Sequence, residues 1–84
     1  MDQIFITVKF YSGIEKELKI DNYDMGKGVL YPVKPGTRLR KILKGAGLKK
    51  LSRFCYFTAG SRISTWEKFY ESAEVSCLRI SGGG

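Results

Sequence analysis

Ile4, Ile6, Val8 and Phe10 alternate with Phe5, Thr7, Lys9 and Tyr11. That period of two predicts a strand with one buried face. In a chain of 84 residues there is room for one small core, so another periodic segment must close over that face. Leu39, Ile42, Leu43 and Ala46 fall at i, i+3, i+4 and i+7, the apolar stripe of a helix that docks on a sheet. Thr37 is placed to cap that helix at its start, and Gly45 and Gly47 to stop it. The expectation is an α+β domain, a mixed sheet of four to five strands with one main helix packed on one face.

The remaining elements follow from turn signals. Ser12-Gly13 breaks the first strand, and Leu18 with Ile20 starts a second extended piece that is interrupted over residues 21–28. Residues 29–33 complete it and pair with the first strand, while the interrupting segment reads as a surface loop. Pro35-Gly36 turns the chain into the helix. Residues 54–58 read as a strand, Ala59-Gly60 as a tight turn and Arg62-Ile63-Ser64 as a short return. Trp66, Phe69 and Tyr70 supply bulky aromatic packing before a last strand at residues 75–80.

Hydrophobic residues make up 43% of the chain, including five Phe, five Tyr and one Trp, enough to exclude general disorder. The absence of histidine removes the commonest acid-base group at neutral pH, and the carboxylates are scattered, so no catalytic residue is assigned. Cys55 and Cys77 are not spaced as metal ligands or as a redox pair and read as core or near-core thiols. No metal site is expected. The apolar runs are too short to cross a bilayer, and Met1-Asp2-Gln3 lacks the character of a signal peptide, so a cytoplasmic protein without a membrane partner is expected.

The net charge is +7, and no acidic residue lies between Met25 and Trp66. Arg38, Lys41 and Lys44 are expected to share the helix face turned away from Leu39, Ile42 and Leu43. A basic face of this kind is solvated, steers an acidic partner, or attracts nucleic acid. Nucleic acid ranks last, because Tyr56 and Phe57 form no recognised RNA-binding signature and a small β domain needs its aromatics for the core.

Ser81-Gly82-Gly83-Gly84 follows the last strand. Glycine reaches backbone conformations closed to other residues, so residues 81–84 are expected to form a flexible tail on a domain of residues 1–80. An unhindered Gly84 carboxylate is suited to activation as an acyl-adenylate; the plain alternative is a frayed terminus. If Val75 and Cys77 point inward with Ile6 and Val8, Leu78 and Ile80 point outward as an apolar docking patch beside this tail, extended by Phe5 and Tyr11. The reverse parity would bury Leu78 and Ile80.

Several segments carry a resemblance that spans the chain. The run from Val8-Lys9-Phe10-Tyr11-Ser12-Gly13 to Leu18, and Pro35-Gly36-Thr37 ahead of Leu39, are similar to the opening strand and the lead-in to the helix of small sulfur carriers of the MoaD/ThiS kind. Thr58-Ala59-Gly60-Ser61-Arg62-Ile63 resembles their Val-Asn-Gly turn. Glu71-Ser72-Ala73-Glu74-Val75 stands where they show Asp-Gly-Asp-Glu-Val, and the terminal Gly-Gly closes the match. Trp66 is similar to a tryptophan of many thiamine-pathway carriers, whereas Leu78-Arg79-Ile80 is similar to the Leu-Arg-Leu-Arg-Gly-Gly end of ubiquitin.

The resemblance implies a β-grasp (ubiquitin-like) fold and a carrier that is a substrate rather than an enzyme, with no cofactor bound. A partner adenylating enzyme of the MoeB/ThiF, ubiquitin-activating type would use ATP to adenylate Gly84. A sulfurtransferase or cysteine desulfurase would then supply sulfur, leaving a thiocarboxylate for molybdenum or tungsten pterin synthesis, where a synthase large subunit would be a further partner of the carrier, or for thiamine synthesis. A ubiquitin-like modifier joined to lysines through Gly84 is the alternative, and an RNA-binding β module ranks behind it.

Overall fold

Ile4, Ile6, Val8 and Phe10 all turn inward in β1 (Ile4–Phe10), and the last three are completely buried. The computed structural model describes residues 2–80, in which β1 is followed by a short helix α1 (Ile14–Glu17), β2 (Val29–Val33), β3 (Thr37–Arg38) and the main helix α2 (Leu39–Ala46). After α2 come β4 (Phe54–Thr58), β5 (Ser61–Ile63), β6 (Lys68–Phe69) and β7 (Ala73–Arg79). One mixed sheet has the order β2-β1-β7-β4-β5, and β3 and β6 form a separate ribbon. Only the central pair β1 and β7 is parallel. With α2 as the single main helix against one face, this is the β-grasp arrangement.

The inner face is a row of paired apolar positions. Val8 lies opposite Val75 and Phe10 opposite Cys77, while Tyr56 faces Cys77 from β4. Leu39, Ile42 and Leu43 of α2 and Ile14 of α1 close over them. Bringing this apolar surface out of water is the main force holding the domain. Among the described residues no helix is long and apolar enough to cross a membrane.

Four expectations are corrected. Leu18 does not begin a strand: residues 14–17 coil into α1, whose Ile14 is fully buried under the sheet, and Leu18 is its cap. Thr37 does not cap α2. It pairs with Phe69 in the small ribbon and its hydroxyl donates to the Lys34 carbonyl at 2.7 Å, leaving Arg38 in the capping position. The first amides of α2 are satisfied by backbone instead, Leu39 N–H donating to Glu67 O and Arg40 N–H to Thr65 O, both at 2.9 Å. Trp66 and Tyr70 do not pack in the core; they are exposed, and only Phe69 is buried. Gly45 lies within α2, and the helix ends at Gly47, whose φ of 105° is the left-handed conformation that ends a helix.

The loop of residues 21–28 has a defined task. β2 pairs with β1 only from Ile4 to Val8. Tyr11 N–H donates to Cys77 O, so the preceding residue, Phe10, turns its own N–H and C=O toward the opposite edge, beyond the end of β2. The Tyr23 hydroxyl accepts from Phe10 N–H at 2.6 Å and donates to Phe10 C=O at 3.0 Å, completing the edge that β2 does not reach.

Candidate functional site

Three of the expected site residues, Gly82, Gly83 and Gly84, lie outside the described residues. The chain that leads to them is well anchored. Arg79, the last residue of β7, forms an ion pair with Glu17 at 2.7 Å, and its guanidinium lies 5.6 Å from the centre of the Phe54 ring. Ile80 N–H then donates to Arg53 O at 3.2 Å.

Strand alternation puts Val75 and Cys77 on the covered face, so Leu78 belongs to the open one. There it lies opposite Cys55 of β4 and helps line a shallow hollow of about 840 Å³ with Tyr11, Phe57 and Ser76. Phe5 does not join it. The β1–β7 register sets Phe10 beside Cys77, which puts Phe5 six residues back along β1, about 20 Å from the level of Leu78 at the usual rise of a strand. Phe5, 44% exposed, instead faces Pro32 at the far end of the sheet. Ile80 is also separate from Leu78: past the end of β7 it is 46% exposed and lines a different groove, on the flank of β4. Phe5, Leu78 and Ile80 therefore do not form one patch: strand length separates Phe5 from Leu78, and Ile80 lines a different groove.

The expected basic face is also redistributed. Lys41 and Lys44 are exposed on α2, but Arg38 precedes the helix. Its Nη1 donates to Trp66 O at 3.1 Å and its guanidinium lies 5.6 Å from the centre of the Trp66 ring. Arg40 lies closer, at 4.1 Å. The exposed indole thus carries two cations rather than filling the core, an arrangement favoured by the negative face of the ring. Arg38, Lys41 and Lys44 still border one hollow, of about 560 Å³, which Pro35 and Gly36 also line.

The thiols divide between the two faces. Cys77 is fully buried, and burial pushes its thiol up to about 12, which keeps it neutral and unreactive. Cys55 is half-buried on the open face, its Sγ 3.7 Å from Leu78 O. Burial likewise raises the Tyr56 phenol, whose hydroxyl donates to Leu51 O at 2.8 Å. Among the described residues no three His, Cys, Asp or Glu side chains converge as metal ligands.

Charges at Lys49, Lys50 and Arg62 are visible in the sequence, but not their convergence. With Arg40 and Lys44 they rim the groove that Ile80 enters, a depression of about 850 Å³. No pattern of local spacing signals this cluster, because helix, loop and strand contribute to it from separate parts of the chain. No protein-family model matches this chain, and no curated protein does.

Proposed function

We propose that this protein is a sulfur carrier whose Gly84 carboxylate is adenylated by a partner enzyme and converted to a thiocarboxylate that donates sulfur. The observation that supports this reading most is the course of β7. It is the central strand of the sheet, bonded on both sides, and it leads through Arg79 and Ile80 directly to Ser81-Gly82-Gly83-Gly84. A rigid strand feeding a glycine-rich acyl tip fits handling by another protein's active site, where any side chain near the carboxylate would obstruct attack. On this reading the chain supplies position and the partner supplies chemistry: ATP, the adenylate and the sulfur donor. The acceptor belongs to molybdenum or tungsten pterin synthesis or to thiamine synthesis. The partner's grip includes Leu78 and its hollow, the apolar surface of the open face that lies nearest the end of β7.

The test is intact-mass measurement of the protein purified from its native cells. The expected species ends at Gly84 with one oxygen replaced by sulfur. A branched peptide joining Gly84 to a lysine would turn the reading to a protein modifier, and a native chain continuing past Gly84 would overturn both. In vitro, a MoeB/ThiF-type enzyme with ATP should release pyrophosphate with the full chain and not with one lacking Gly84, and Leu78→Ser should raise the concentration of carrier required.

A further inference from the structure

We infer that the cationic groove on the flank of β4 is a docking site for an extended acidic peptide segment of a partner protein that carries an apolar anchor. The groove exists because two strands part. β5 pairs with β4 only from Tyr56 to Thr58, so Phe54 and Cys55 have no neighbour on that side. Beyond Ile63 the chain is drawn away toward α2 by the bonds from Arg40 N–H to Thr65 O and from Leu39 N–H to Glu67 O. Ser64 and Thr65, which would continue the pairing, become the opposite wall of the groove.

Two consequences follow from that splay. Antiparallel pairing alternates, and Arg53 C=O accepts from Ile80 N–H on the β7 side, so Phe54 turns away from β7; its N–H is held by Leu51 O, and its C=O faces the opening. A segment in extended conformation lying along β4 can donate a backbone N–H to that carbonyl. The floor of the wedge is apolar, built from Leu51, Phe54, Tyr56, Ile63 and Ile80, so one apolar side chain of the segment has a seat.

The rim decides the charge of the occupant. Arg40, Lys44, Lys49, Lys50 and Arg62 surround the opening, and none of them forms an ion pair among the described residues. Such a rim repels a second copy of this chain, which carries the same charges, and attracts a carboxylate-rich segment. Single-stranded nucleic acid fits less well. Its bases need exposed aromatic faces, whereas Phe54 and Tyr56 are 7% and 3% exposed, and the Trp66 ring is occupied by Arg40. The site is independent of what Gly84 carries.

The test uses fluorescence anisotropy at low ionic strength with three fluorescein-labelled probes: a peptide of Leu-Phe-Leu flanked by runs of Glu, a Glu-only peptide of equal charge, and oligouridylate. The anchored peptide should bind about 10-fold more tightly than either of the others, with affinity falling as salt is added. In amide spectra of the unaltered chain it should shift Cys55, Ser64 and Thr65. Lys44→Glu combined with Arg62→Glu, both at exposed positions, should weaken it about 10-fold or more. Equal binding of the Glu-only peptide, tighter binding of oligouridylate, shifts confined to the surface around Leu78, or an unchanged affinity in a folded double variant would each overturn the proposal.

Discussion

Replacing Tyr23 by Phe removes one oxygen atom and tests what the loop of residues 21–28 is for. The ring can stay, packed on Phe10 with centroids 6.3 Å apart, so the loss is chiefly the two hydrogen bonds with the Phe10 backbone, with a weak contact of the hydroxyl to Met25 Sδ at 3.8 Å. Each bond contributes about 1 kcal/mol net, and an unpaired polar backbone group in a part-buried place costs about the same again or more. Water reaches this edge to some extent, so about 2 kcal/mol for the pair is the expected loss. For a domain of this size, about 1 kcal/mol corresponds to roughly 4–8 °C in melting temperature, so Tyr23→Phe should melt about 8–16 °C lower. Tyr70→Phe, at an exposed residue whose side chain makes no hydrogen bond among the described residues, should stay within about 0.5 kcal/mol of the parent. Thermal and urea unfolding followed by circular dichroism give both values. Hydrogen exchange gives the local one: the Phe10 amide should lose protection in Tyr23→Phe while Tyr11, bonded to Cys77 O, keeps its own. An unchanged melting temperature, or an unchanged Phe10 exchange rate, would show that the loop is ornamental and that the end of β1 is held from β7 alone.

Two further outcomes are expected. Burial raises the Cys77 thiol from its ordinary 9.0 to about 12 and also raises the phenols of Tyr23, Tyr31 and Tyr56, so with increasing pH the unfolded chain releases these protons first. Stability should therefore be level in the neutral range and fall above about pH 9, by roughly 1.4 kcal/mol per pH unit for the thiol alone; a urea midpoint that stays constant up to pH 11 would contradict it. Gly28→Ala should cost about 2–4 kcal/mol in the same assay, because φ is +70° there and a Cβ would lie 2.8 Å from Val8 O. Gly60→Ala, at φ +80° with no atom within 4 Å of a Cβ, should cost only about 1 kcal/mol; equal losses would remove the close approach as the cause.

The sequence is most legible where a local period meets a burial boundary. β1, the stripe of α2, the Ala59-Gly60 turn and β4 could be read because each needs only its own neighbours to declare which side is wet. Ala59 and Gly60, at φ 50° and 80°, are the tight hairpin turn that the pair suggests. The misreadings share a different cause. Residues 14–20 contain Ile14, Leu18 and Ile20, whose spacing suits one helical turn or a ragged strand equally well, and burial of Ile14 under the sheet decides for the helix. Thr37 looks like a cap until the Thr65 and Glu67 carbonyls, distant in sequence, reach the helix amides first. Alternation groups Phe5 with Leu78 because it shows the face on which a side chain lies, not its height on the sheet, which the parallel register fixes. The wedge beside β4 was invisible for a similar reason. It depends on where β5 stops pairing, and that is set by a tertiary pull on Thr65.

The end of β7 brings these surfaces within reach of one another. Arg79 and Ile80 are tied to Glu17 and Arg53, so the last anchored position lies four residues before Gly84. On the proposed reading, an enzyme acting on Gly84 would approach the end of β7 closely and would have two different surfaces to meet. The hollow around Leu78 is lined by Tyr11 and Phe57 and offers apolar contact, whose loss is felt mainly in how long a complex lasts. The wedge at Ile80 is rimmed by five cations and acts on encounter, through a field that salt weakens. A partner using the hollow alone would bind with little dependence on ionic strength, whereas one that also places an acidic segment in the wedge would associate faster at low salt with the same lifetime. Association and dissociation rates measured across a salt series thus distinguish the two modes of engagement, because the two surfaces act on different rate constants.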